Sequence, residues 1–383
     1  MPTKTLVLHI GDPKTGSSSI QQALYQRRVE CTTVAIDYPP KLNSVRLANS
    51  LRRAGLANDR NDQFRAAANW LDASIGDVGV ISAEQFSLID PHDVHQVFVQ
   101  HMPKHAEAMR VVAYVRPHVS RFIAAYAQRV KVGSLQSDIQ TFFNENADKR
   151  FLNFSRRFQK WRNLYGDRFI LRPMVRGELR DGDVVADFIG IVVRNAPFRL
   201  LDVAAANKTL PVEALSGLQF LQKHLEVRDV PGGTRQRVGS QINQLCDELI
   251  GAKGTKLRIG RDLYDRICDN ARADAENLDK FFFGRSVLVK AMDESALDTV
   301  DQPMGIDARS YFSSQVLARL TTLAETLADL FAQQQGVWRE SIGRRIGQRT
   351  DGDGSDDMTE EATSYVAEID AILEEVAALI SVI

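Results

Sequence analysis

Cysteine is scarce in this chain, three among 383 residues, and Cys31, Cys246 and Cys268 stand far apart. An odd, widely spaced set excludes a disulfide framework and supplies no closely spaced thiols for zinc or an iron–sulfur cluster. It fits a reducing compartment, so a cytoplasmic location is expected. Long apolar runs are also missing. No stretch approaches the roughly 20 apolar residues of a membrane-spanning helix, and the apolar segment Leu6–Ile10 is too short for a secretory leader. No transmembrane segment is expected. Excess charge of either sign is absent, with 48 Lys and Arg against 49 Asp and Glu and a net charge of −1. That excludes a global basic field for nucleic acid, so any anion site must be local.

What is present is an ordinary globular composition, 44% hydrophobic and 25% charged. After a first strand near Leu6, strand patterns recur at Thr33–Pro39, Val78–Glu84, Arg110–Arg116 and Arg168–Met174. Each is a short apolar or β-branched run without clean alternation, as in strands buried on both faces. Helical patterns, including Gln63–Ser74 and Ser120–Lys131, separate them, and the alternation predicts an α/β fold with a parallel sheet flanked by helices. Beyond Asp202 helices dominate: Pro211–Glu226, Thr234–Ile250, Asp262–Phe283 and Tyr311–Gln335. The expected organisation is an α/β core over 1–200, a helical acceptor-side region over 201–345, a polar linker over 346–358 and an amphipathic helix over 359–383.

The chemistry begins where the first strand breaks, in LVLHIGDPKTGSSSIQQ. Gly11 and Gly16 let backbone N–H groups turn inward, and Ser17, Ser18 and Ser19 fall at a helix N-terminus with its unpaired donors and positive dipole end. Lys14 and Thr15 complete an anion cradle. A nucleotide triphosphatase loop needs lysine directly after the second glycine, and Ser17 stands there instead. The string PKTGSSS, set between strand and helix, resembles the 5′-phosphosulfate loop of the sulfotransferase family. The resemblance runs over roughly Met1–Gly284, with its specificity concentrated in this loop. AANKTLPVEAL (Ala205–Leu215) and DAENLDKFFFG (Asp274–Gly284) resemble stretches of bacterial sulfotransferase-like chains, and Phe281–Phe283 read physically as core.

That resemblance implies a P-loop-related fold and a donor, 3′-phosphoadenosine 5′-phosphosulfate, used without a metal. Its 5′ end would be held by Gly11, Lys14, Thr15, Gly16, Ser17, Ser18 and Ser19. Its 3′-phosphate would be held by the arginine ending the strand RVVAYVR, Arg116, with an early helix serine. Here this chain departs from the family: Ala124 and Ala125 occupy the serine places and Pro117 comes one residue early. Ser120, one turn before Ala124 and on roughly the same face, is the candidate substitute. Lys14 would meet the charge that develops on the departing phosphate.

Glu84, Ala83, Gln85 and Phe86 form AEQF at the end of VGVISAE, which resembles a segment of the same family. Glu84 is the expected general base, ahead of His9 in the first strand, read as a buried structural histidine, and His118, read as an exposed turn. Of Arg121 and Arg129, at least one reads as a solvated helix charge. The acceptor class implied is a hydroxyl of a carbohydrate or glycolipid. Two other readings stand beside it: a sulfotransferase-like binding or scaffold protein without catalysis, and a kinase-like phosphotransferase. The heptad series Leu320, Leu323, Leu327, Leu330 and Ala362, Val366, Ile369, Leu373, Val376, Ile380, Ile383 suggest either packing onto the same chain or a homo-oligomer through the C-terminal helices.

Overall fold

The computed structural model describes residues 4–147, 151–201, 210–250, 254–348 and 359–381. The linker Thr350–Asp357 and residues 205–209 lie outside them. The fold is mixed α/β, with a central parallel sheet flanked by helices. The strands are β1 (Thr5–His9), β2 (Val29–Cys31), β3 (Ile36–Asp37), β4 (Val78–Ser82), β5 (Arg110–Val115), β6 (Phe169–Pro173) and β7 (Phe198–Leu200). Five of them form a sheet in the order β3-β4-β1-β5-β6, every pair parallel. β2 and β7 form a separate antiparallel pair.

Parallel strands with helices on both faces have no polar side to show. Leu6, Val7, Leu8, Val80 and the run Val111–Val115 are accordingly fully buried. The helix Val184–Val192 packs Val184, Val185, Phe188 and Ile189 into the same core. Its one carboxylate, Asp187, is buried and fully engaged: it accepts from the Tyr114 hydroxyl at 2.8 Å and from Arg172 Nη2 at 2.6 Å. β1 occupies the centre, and the chain adds β3 and β4 on one side of it before adding β5 and β6 on the other. The connection that leaves β1 therefore starts at the point where strand order reverses, beyond the carboxyl ends of the strands, where open parallel sheets bind ligands.

The chain divides into two compact units, one of 1–121, 152–206 and 268–295, the other of 122–151, 207–267 and 296–383. Neither is contiguous in sequence, unlike the expected division near residue 200. The first holds the parallel sheet. Within the second, the helices Val212–Val227, Gly232–Ile250, Ser314–Gln348 and Glu360–Ser381 pack on one another. Both heptad seams are spent there: Leu320, Leu323, Leu327 and Leu330 are buried, as are Val366, Ile369, Leu373, Val376 and Ile380. A side chain at Gly217 would lie 2.5 Å from Ile380 Cγ2, which shows how closely these helices approach. The apolar stripes thus pack within one chain. Among the described residues no helix is long and apolar enough to cross a membrane.

Candidate functional site

The loop between β1 and the helix Ser17–Tyr25 is built around three left-handed residues: Gly11 at φ +46°, Lys14 at φ +71° and Gly16 at φ +82°. Gly16 has no side chain with which to cap the helix, so the N-cap residue itself leaves the first-turn donors uncovered. A side chain at Gly16 would meet Val184 Cγ1 at 2.6 Å, so sterics as well as φ require glycine. Lys14 is exposed, and its left-handed backbone is the kind of local strain that persists at ligand sites.

Space inside the loop is bounded by the end of β1, the start of the following helix and the residue after β4. A Cβ built on Gly11 would lie 2.7 Å from Ser17 Oγ, 3.4 Å from Glu84 Cβ and 3.6 Å from His9 Nε2. Glu84, half-buried, opens the short helical turn Glu84–Leu88 directly after β4. The general-base candidate therefore stands at the wall of the anion loop. Ser17 and His9 are buried, and neither Ser17 Oγ nor His9 Nε2 has a hydrogen-bond partner among the described residues.

Arg116 follows β5 and reaches back to the loop, donating through Nη1 to the Lys14 carbonyl at 3.2 Å. Its Nε donates to Ser120 Oγ at 3.2 Å, while the Ser120 hydroxyl donates to the Pro117 carbonyl at 3.0 Å. Ser120 thus steadies Arg116, and its proton is already used. Burial first, and the nearby Arg121 charge second, lower the Arg116 guanidinium from its ordinary value. Sequence reasoning placed Lys14, Glu84 and Arg116 at separate strand ends, and the fold brings all three to one edge. Ala124 and Ala125, in the second unit, offer no hydroxyl.

Asp12 was not anticipated. Buried to 1% exposure, its carboxylate accepts from Arg121 Nε at 2.7 Å and Arg157 Nη2 at 2.6 Å, and its carbonyl accepts from the buried Thr15 hydroxyl at 2.6 Å. Two guanidinium groups, Arg121 and Arg157, stand against this one carboxylate, and Arg116 is close enough to feel the Arg121 charge. Arg121 is therefore buried and paired, and Arg129, set over the Phe142 ring at 4.9 Å, is not a freely solvated helix charge either. The only sequence signal for Asp12 was an acid inside an anion loop, which demands a cationic partner.

His118 is fully buried, not an exposed turn: Nε2 lies 2.9 Å from Asp274 Oδ2, and its ring stacks on Phe154 at 4.9 Å. Asp274 also accepts from the Ser155 hydroxyl at 2.6 Å. Burial works to raise the Asp274 carboxyl, but hydrogen bonds from His118, Ser155 and the Phe154 and Ser155 amides outweigh it and leave it below its usual range. Phe281–Phe283 are not core either. They form a π-helical turn in which Phe281 is 53% exposed, and Phe282 and Phe283 line a cavity of about 380 Å³ with β6, Arg162 and Arg285. Among the described residues no group of three or more His, Cys, Asp or Glu side chains is disposed to hold a metal ion. Set against known proteins, the chain matches no family model, no curated protein and no solved structure.

Proposed function

We propose that this protein is a sulfotransferase that binds 3′-phosphoadenosine 5′-phosphosulfate at the end of β1 and transfers its sulfuryl group to a hydroxyl, on the P-loop-related architecture that the loop resembles. One observation carries the reading. Arg116 is hydrogen-bonded to the Lys14 carbonyl while Glu84 borders Gly11, so a guanidinium and a carboxylate stand at the loop that opens the helix Ser17–Tyr25. The donor supplies an activated sulfuryl group on its 5′-phosphate. Transfer breaks the sulfur–oxygen bond to that phosphate and forms one to the acceptor oxygen, leaving adenosine 3′,5′-bisphosphate.

The chain's own residues divide the work. The first-turn amides and the hydroxyls of Ser17, Ser18 and Ser19 hold the 5′ end. Lys14 meets the charge that grows on the departing phosphate oxygen. Arg116, steadied by Ser120, takes the 3′-phosphate. Glu84 accepts the acceptor's proton. Carbohydrate or glycolipid is the acceptor class on resemblance alone, since the loops that would shape an acceptor pocket carry no specific signal.

Calorimetric titration tests this without an acceptor. Adenosine 3′,5′-bisphosphate should bind far more tightly than ADP, with or without a chelator. Equal competition by magnesium ATP would move the reading to a phosphotransferase, and tight bisphosphate binding without transfer to any hydroxyl acceptor would move it to a binding protein.

A further inference from the structure

His9 lies behind the anion loop, fully buried, with its Nδ1 2.8 Å from Ser82 Oγ. Ser82 Oγ in turn accepts from Gln21 Nε2 at 3.1 Å. Gln21 is one turn after Ser17 on the helix Ser17–Tyr25, so both point from the same face. An amide NH2 can only donate. Ser82 Oγ, with one proton and two lone pairs, could instead accept from His9 Nδ1 as well and donate to the nearby Tyr38 hydroxyl; where it gives its proton to His9 Nδ1, the ring proton is left on Nε2. That is the atom which, with Ser17 Oγ, borders the space at Gly11, and neither has a partner among the described residues.

We infer that in the Gln21–Ser82–His9 relay the Ser82 hydroxyl donates to His9 Nδ1, so that His9 is a neutral ring whose Nε2–H faces the space at Gly11 that Ser17 Oγ also borders; no bond joins the two here, and on anion binding Nε2–H donates to Ser17 and turns the Ser17 hydroxyl proton onto the anion. His9 is a positioning residue in this scheme and not the base. Phe188, 4.9 Å from the His9 ring, and Tyr114 close the pocket and keep the imidazole neutral. The relay deepens the sulfotransferase reading and rests on it for the identity of the anion, although its direction does not depend on which anion binds.

Two measurements test it. Long-range 1H–15N spectra of the unliganded protein should show His9 as a neutral ring with its proton on Nε2; a proton on Nδ1 overturns the relay. The parent, His9→Gln and His9→Leu are then titrated with inorganic sulfate and with adenosine 3′,5′-bisphosphate. Gln carries a donor near the Nε2 position and should bind both within about threefold of the parent. Leu lacks it and should bind both about tenfold more weakly, the scale of one hydrogen bond to a charged group. If sulfate follows this pattern while the bisphosphate does not bind, the sulfotransferase reading falls and the relay stands. Equal affinity of the parent and His9→Leu for both ligands, or no affinity of the parent for either, overturns the relay. The tautomer is read on the parent and the Gln variant, so a Leu variant that fails to fold leaves the test intact.

Discussion

Arg116 Nη1 and the Lys14 carbonyl are 3.2 Å apart, joining the end of β5 to the loop that leaves β1 across 102 positions of sequence. A parallel sheet makes this possible, because it sends every strand's carboxyl end to one edge. The same bond spends part of the guanidinium on holding the loop, so under the proposed function Arg116 would shape the 5′ site as well as offer charge to a second phosphate. Arg116→Lys should weaken adenosine 3′,5′-bisphosphate and AMP alike, since an ammonium cannot reach Ser120 and the loop together. A loss confined to the bisphosphate would show that the bond to Lys14 is idle.

Lys14 combines an exposed side chain with a left-handed backbone, φ +71°. Lys14→Gly removes the charge and relieves the backbone. It should gain about 1 kcal/mol in urea unfolding while losing nearly all transfer, since a charge set against a developing oxyanion contributes roughly 2.7–4 kcal/mol. Unchanged turnover would make Lys14 a bystander.

Asp12 should matter more to stability than any other loop side chain. Replacing it with Asn removes one partner from a buried pair and leaves Arg121 facing an amide, at a cost of about 3 kcal/mol. Equilibrium urea unfolding measures this, and a change below about 1 kcal/mol would mean the two arginines find other acceptors. Part of the loss should return in saturating bisphosphate, because a ligand that binds only the folded state stabilises it.

Burial lowers the His9 pKa from 6.5 to about 3. Its unfolded form takes up a proton below pH 6.5 that the folded form refuses, so this contribution is complete above pH 6.5 and is lost as pH falls toward 3. Over that window His9 alone should tilt unfolding free energy by up to about 1.4 kcal/mol per pH unit. His9→Gln, with nothing to titrate, should flatten the profile; parallel profiles for parent and variant would mean His9 is solvated.

Much of this architecture was legible in sequence, and the exceptions have physical reasons. Val78–Ser82, Arg110–Val115 and Phe169–Pro173 lie inside the predicted strands because a doubly buried strand is written as an apolar run. β2 and β7 went unseen: three residues each, they carry no period to detect and pair across a long separation. Glu84 and Arg116 were placed at the carboxyl edge of the sheet because each follows an apolar strand run, and the sulfotransferase resemblance singled them out. Asp12 was missed because its partners Arg121 and Arg157 are 109 and 145 positions away, a relationship that only the fold creates. Phe281–Phe283 misled in the other direction. Three consecutive aromatics suggested core, but consecutive residues on a helical turn point different ways, and here Phe281 is exposed while Phe282 and Phe283 line a cavity.

Glu84 is the sharpest test of the catalytic assignment. Its Cβ is 3.4 Å from the position a Gly11 side chain would take, and the residue is half-buried at the carboxyl end of β4, beside the donors that would hold the leaving group. A base must be within reach of the acceptor proton yet not tied up by an ion pair, and no ion pair to Glu84 is formed among the described residues. Glu84→Gln keeps size and hydrogen bonding and removes basicity. Bisphosphate affinity should stay within about twofold of the parent, because the substitution leaves the loop donors untouched, while transfer should fall ~10²–10⁴-fold, the usual range for removing a general base. A Gln variant that retains the parent's rate would release Glu84 from this role and leave it as a wall of the loop.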